Sequence, residues 1–586
     1  MLASNSSQDE IRQTQYAQTP AIKNSWRFGD LSAAELLPQL QRHLLSQDTK
    51  ANWQLVWLNN NGRPVIGLLP KVSWSVYSAD SKISNKQLPD SKYRVIKNFR
   101  NDSNALTTAH MSYSEWQDEL IHYSQAYESD SSVSNLIDKS NEEPSYHHGL
   151  IGFIGYDITA YELSPAAKIE LAAQPCAVLG HYDIYLTPSN EDKTGWKLNT
   201  LALDTDNETT SSILAELISY FSILDHELSQ IKKAADNLEC QLTPLVLNAR
   251  WHKDDYQNAF EKTQDYLQQG DCYQINLTQA WQGCLNKLDG SYNYNDSITT
   301  LVDYLPTLHR NTQAPFAGYL GVNSNLDDLG DLDNLDNLDN LDNLEPNYTT
   351  TDNHAKNVKH VKTPPLSFEL LSCSPELFFT FIKDMATGSH HIITKPIKGT
   401  RPRGMDNEQD LTLKQQLIDS NKDRAENVMI VDLLRNDLGK YAKTGSVKVP
   451  HLFAIESFSN VHHMVSTITA ELKPDAHPLA VLFGSLPAGS ITGTPKRRAV
   501  EIISELEAGP RGAYCGTMGF MNFNGSGQWN VLIRTLQADT SLNAAGQVSL
   551  WAGGGITVAS DCDEEYQECL DKVGNLLNVL NQAGIT

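Results

Sequence analysis

The stretch 513–558 constrains the fold of this chain more than any other. It holds three apolar runs, YCGTMGFMNF, WNVLIRTLQAD and QVSLWAGGGITV, separated by short turns that contain Gly, Asn or Ser. Runs of that length joined by tight turns read as neighbouring strands, so the spacing predicts a β-meander. Around it lie segments with helical periodicity at 253–269, 408–442, 495–507 and 563–582. Before it, β-like runs (WQLVWL, RPVIGLL, AVLGHYDIYL, KLNTLAL) alternate with a helical stretch at 211–239. The chain is therefore a mixed α and β protein rather than a bundle or a sandwich.

Its 586 residues give a prior of about four domains at roughly 150 residues each. With 46 basic and 71 acidic side chains, the formal charge of -25 disfavours nucleic acid or an anionic membrane as a partner. No apolar run reaches the roughly 18 residues that a membrane span needs. The opening MLASNSSQDEIRQTQYAQTP has no signal-peptide core, and residues 1–25 read as a flexible tail. Eight scattered cysteines without a C-x-x-C pair fit a reducing compartment, so a cytoplasmic protein is expected. A Ser/Asp/Asn-rich segment near 126–146 reads as a surface loop. In HGLIGFIGYD, Gly149, Gly152 and Gly155 are explained by close backbone packing rather than by a ligand.

The repeat DLDNLDNLDNLDNLE at 331–345 has period three, which matches neither a helix nor a strand. Its acids suggest calcium, but the spacing is not that of an EF-hand loop and no glycine falls among the triplets. A solvated insertion spanning 322–364 is the reading adopted. It divides the chain into a tail, a region 26–245 and a region 249–584 that contains the insertion.

Two helical segments offer acids at i and i+3: Asp423 with Glu426, and Glu565 with Glu568. Most such pairs are solvated acids in a first helical turn. Glu426, however, leads directly into the apolar run VMIVDLL, which draws it inward, where a carboxylate needs a cation. Two short acidic faces meeting at one point suit Mg²⁺, which takes one or two carboxylates and completes its shell with water and substrate oxygens. A basic, glycine-rich set opposes them: Lys395, Lys398, Arg401 and Arg403 around a Gly-Thr turn, Gly493 to Lys496 before a helix, and three glycines at 553–555. Neither phosphate-binding glycine motif is present, so a small polycarboxylate suits the set better than a nucleotide.

Taken in order, ELLSCSPELF, KPIKGTRPRG, DRAENVMIVDLLRNDLG, VHHMVSTI, GSITGTPKRRAVEII, YCGTMGF, IRT, AGGGI and EEYQE are recognisable. Over 249–582 the chain resembles the chorismate-utilising enzymes, most closely the branch that forms aminodeoxychorismate. Before 245 only GLIGFIGYD is familiar. The resemblance implies an α/β fold of the α+β type, with large, mainly antiparallel sheets around a central active site and helices packed outside. The N-terminal half is expected to add strands to that same body. The resemblance also implies Glu426 and Glu568 as Mg²⁺ ligands supported by Asp423 and Glu565. Glu376 becomes the acid that protonates a departing C4 hydroxyl, with a pKa raised above about 4.3. His463 stands near that hydroxyl, and Arg534, Lys496, Thr400, Gly554 and Gly555 hold the substrate. Tyr514 and Gly516 line the same pocket.

Two positions sort the branches. Gln274 stands where isochorismate-forming relatives carry a lysine base, and an amide cannot activate water. Lys398 stands where anthranilate-forming relatives carry alanine, and an amine there can act as a nucleophile if it is neutral. The cationic neighbourhood of Lys395, Arg401, Arg403 and Mg²⁺ is expected to lower its pKa. A simple carboxylate clamp is the other reading of Lys398.

The resemblance thus implies that chorismate and ammonia give 4-amino-4-deoxychorismate, a precursor of para-aminobenzoate and folate, through an intermediate covalently bound to Lys398. No cysteine sits in a G-x-C-x-G elbow, so ammonia is expected from a separate glutaminase subunit in a heterodimer. An anthranilate-forming enzyme and a catalytically silent, metabolite-binding regulatory subunit are the alternatives.

Overall fold

A computed structural model describes residues 24–46, 54–79, 93–100, 106–128, 143–189, 195–200, 208–234, 242–285, 299–323, 368–457, 461–539 and 546–582. The expected tail lies outside these up to residue 23, and the expected insertion from residue 324 onward. In chain order, the elements that matter for the site begin with strand β1 (Gly149–Ile154), strand β2 (Gln274–Cys284), helix α1 (Leu301–Thr312) and strand β3 (Phe368–Ser372). Strand β4 (Ile397–Pro402), helices α2 (Asn407–Asp419) and α3 (Asn421–Gly439) and strand β5 (Val461–Glu471) follow. Helix α4 (Lys496–Leu506), strands β6 (Thr517–Asn522) and β7 (Gln547–Ile556) and helix α5 (Cys562–Gln582) complete the set.

The described strands form two large antiparallel sheets of twelve strands each, as the fold expectation required. Both sheets mix strands from the two halves. In the first, Gln54–Leu58 pairs with Gly318–Val322, which in turn pairs with β3. In the second, β1 pairs with β6, with Gly152 opposite Gly519. The cores mix likewise: Trp57 shares one buried cluster with Leu536 and Leu576, and Trp74 shares another with Trp529. Each half thus buries its apolar surface against the other.

The glycines of HGLIGFIGYD behave as packing residues. A methyl group on Gly149 would collide with the Met521 carbonyl, and one on Gly152 with the Val178 carbonyl.

Two expectations need correction. The segment 408–442 is not one helix, because Ser420 is at once the C-cap of α2 and the N-cap of α3, where its hydroxyl accepts the Asp423 N–H. Nor is 513–558 a single meander. Its middle run is divided: Gly527–Asn530 pairs with β6 in the second sheet, while Thr535–Asp539 pairs with β7 in the first. The chain crosses between sheets at 531–534, and Arg534 takes a positive φ of 51° there. Local alternation cannot show which sheet a strand will join.

Candidate active site

The crossing at 531–534 opens onto a cavity of about 950 Å³ between the two sheets. Strand β4 brings Lys398 and Thr400 to it, β5 brings His463, and the turn after β3 brings Glu376. Helix α3 contributes Asp423 and Glu426, and α5 contributes Glu565 and Glu568. Tyr514, Arg534 and Gly555 complete the predicted residues on its wall.

Four predicted residues are not on that wall. Lys496 turns away, with its ammonium 2.6 Å from Asp437 Oδ2 and donating to the Ser485 carbonyl at 3.0 Å. Its place as a substrate clamp is therefore not what the structure gives: from the first turn of α4, the side chain reaches a buried carboxylate before it reaches the cavity. Gly516 packs on the Ile154 carbonyl, and Gly554 faces Glu565. Gln274 lies just behind the wall: a Cβ on Gly555 would collide with its amide and sit 3.1 Å from Lys398 Nζ. From GSITGTPKRR, the cavity receives Ser490 and Ile491 rather than Gly493 and Thr494, which pair with β2 at Gln274 and Ile275.

The electrostatics are those of paired charges. Lys398 Nζ lies 3.2 Å from Glu426 Oε2, and Lys422 lies 3.0 Å from Glu565 Oε1. Lys572 lies 2.7 Å from Glu568 Oε1, and Arg401 lies 3.4 Å from Asp423 Oδ2. Lys422 and Lys572 escaped the sequence reading, although each is visible as a base beside an acid on the same helix face.

Burial alone would lower the pKa of Lys398, but the carboxylates of Glu426, Glu568 and Glu376 outweigh it and hold the ammonium above the usual lysine range. The protein's own groups thus act opposite to the expected direction, which counted Mg²⁺ among the cations. The expected cationic neighbours have acids of their own: Lys395 pairs with Glu456, Arg401 with Asp423 and Arg403 with Asp410.

Burial pushes the Glu376 carboxyl up to about 7, against smaller opposing pulls from the Ser490 hydroxyl and from Lys398. It is therefore a carboxyl that can hold a proton near neutral pH. Burial, with Arg534 nearby, lowers His463 to about 4, and its Nδ1 meets the Thr400 hydroxyl at 2.8 Å. His463 is thus a neutral imidazole held in a fixed orientation. Arg534 lines the cavity half-buried and has no ion-pair partner among the described residues, so it stands ready for an anion.

The donor set on α3 and α5 is all carboxylate. Among the described residues no group of three or more His, Cys, Asp or Glu side chains forms a metal-ligating cluster. Two carboxylates facing one cavity suit an ion that keeps most of its shell for water and substrate.

A profile for the family described as chorismate binding enzyme matches residues 94–323 and 351–578. The aminodeoxychorismate synthase component 1 of Salmonella typhimurium is 34% identical over 441 residues, 74% of this chain and 77% of that protein. The protein of the same name from Escherichia coli is 33% identical over 450 residues, 75% and 79% of the two chains. The crystal structure of anthranilate synthase component I from Streptococcus pneumoniae TIGR4 shares the fold, with a TM-score of 0.56 at 19% identity over 94% of this chain and 98% of that one. The chain therefore belongs to the chorismate-binding enzymes, in the family of aminodeoxychorismate synthase component 1 proteins. The match begins at residue 94, well before the motifs legible in the sequence.

Proposed function

We propose that this chain converts chorismate and ammonia to 4-amino-4-deoxychorismate. The observation that carries the reading is the meeting of Lys398, Glu376, Glu426 and Glu568 on one cavity, in a chain whose relatives bear the name of that synthase.

In this reading Lys398 Nζ, once neutral, attacks C2 while Glu376 gives its proton to the C4 hydroxyl. The ring double bonds shift and water leaves. Ammonia then attacks C4, the shift reverses, and the C2–N bond breaks to free Lys398. The Glu376 carboxylate left by the first step receives the proton that ammonia sheds. The guanidinium of Arg534 binds a substrate carboxylate, and neutral His463, held by Thr400, orients the departing hydroxyl. Glu426 and Glu568, with Asp423 and Glu565 behind them, would hold Mg²⁺, which when bound supplies charge to fix the substrate's ring carboxylate. Gln274 offers no base to activate water at C2. A separate glutaminase subunit supplies the ammonia, in keeping with relatives named as component 1. The seven described cysteines are free, which suits the reducing cytoplasm. No helix of the described residues is long and apolar enough to cross a membrane.

Product analysis from chorismate, Mg²⁺ and ammonium at mildly alkaline pH tests the proposal. 4-Amino-4-deoxychorismate with its side chain intact is expected. Anthranilate with pyruvate would replace the reading by the C2-aminating alternative, and no turnover would leave a regulatory subunit.

A further inference from the structure

Successive residues of a strand face opposite sides of its sheet, so every second residue forms a row. On β7, Gly555, Gly553 and Trp551 stand in one such row, opposite Asn276, Thr278 and Ala280 of β2. The first two are glycines, and the space they leave belongs to the substrate cavity. Trp551 is the first bulky side chain in the row, and its indole stacks on Tyr514 at 6.0 Å and 13°.

Behind Trp551 lies a second cavity of about 20 Å³, walled by Trp251, Thr278, Ala280, Glu507 and Ala508. Trp551 is the one described residue that borders both spaces. The small cavity has room for a single water-sized molecule.

Its walls favour a neutral occupant. The Glu507 carboxylate accepts from the Thr278 N–H at 2.9 Å and hydroxyl at 2.7 Å, and pairs with Arg511 at 2.7 Å. That carboxylate is therefore compensated and offers no bare charge to a cation. Arg250 also lines the small cavity, and its guanidinium lies against Gly509, where an added Cβ would come within 3.0 Å of Nη1. A cation on that lining repels ammonium but not ammonia. The lining of the substrate cavity differs, because it includes the exposed acids Glu564 and Asp571. Those acids attract ammonium, which has no lone pair for attack.

We propose that the small cavity is an inlet for neutral ammonia and that Trp551 is the gate between it and the substrate cavity. The inference rests on the amination reading.

Steady-state kinetics of the full chain with chorismate, Mg²⁺ and ammonium chloride test it. Ala508→Phe fills the inlet from an exposed loop position outside the substrate cavity. It should raise KM for ammonia about tenfold and leave KM for chorismate within about twofold. Trp551→Ala removes the gate and should lower KM for ammonia about tenfold, which keeps the test decisive if Ala508→Phe folds poorly. An unchanged ammonia KM in the folded variants would overturn the inlet. If the wild-type chain made no 4-amino product, the amination reading would fall instead, so the two failures are distinguishable.

Discussion

Lys398 Nζ and Glu426 Oε2 lie 3.2 Å apart, so β4 and α3 are joined by an ion pair across the cavity. The pair places the amine but also keeps it protonated. Catalysis in the proposed mechanism therefore needs Lys398 to shed a proton after substrate enters.

Replacing Lys398 removes the amine that β4 presents to the cavity. Lys398→Ala should lose aminodeoxychorismate formation by orders of magnitude while keeping Mg²⁺-dependent chorismate binding, measured by calorimetry. Lys398→Arg keeps the charge but not a usable nucleophile, and should fail as well. Near-normal product formation by the arginine variant would make Lys398 an electrostatic clamp.

Glu376 must be protonated to act, and burial sets its carboxyl at about 7. With ammonia saturating, kcat should fall as pH rises through that value, because the ionised form has no proton to give. Glu376→Gln should lower kcat about 10²- to 10⁴-fold and abolish that limb of the profile. A variant that keeps the same falling limb would assign it to another group.

Glu426 links α3 to the proposed metal, so Glu426→Gln should weaken Mg²⁺ and chorismate binding together. Titration of each in the presence and absence of the other reads the coupling. Strong, still Mg²⁺-dependent chorismate binding by the variant would remove Glu426 from the ligand set.

Glu369 on β3 provides a stability test away from the cavity. Its carboxylate accepts the Leu301 N–H at 2.9 Å at the start of α1, and burial raises its pKa to about 7. The folded value lies above the unfolded one, so the stabilisation present below about pH 4.5 is lost as pH rises through about 7. The full shift corresponds to about 3 kcal/mol. Glu369→Gln should remove that part of the pH dependence of denaturant unfolding. The difference from wild type separates it from Asp157, which burial also pushes to about 7. Parallel curves for the two proteins would show that Glu369 does not titrate as described.

Some of this was legible in residue order alone. Short-range signals gave the strand-rich second half, the packing glycines of β1 and the two acid pairs, since each depends on spacing within one element. The ordered motifs identified the family because many independent short patterns agreed. Tertiary structure decided what depends on long-range pairing. It divided the run WNVLIRTLQAD between two sheets, which is what carries Arg534 to the cavity. It sent Lys496 to Asp437, 59 residues away in the chain, because a buried carboxylate there offers the nearer partner. Through the protein's own groups it raised the pKa of Lys398, since the cations nearby in sequence are neutralised by acids while three distant carboxylates converge on the amine. Charge acts through space, and a sequence gives the distances along only one element at a time.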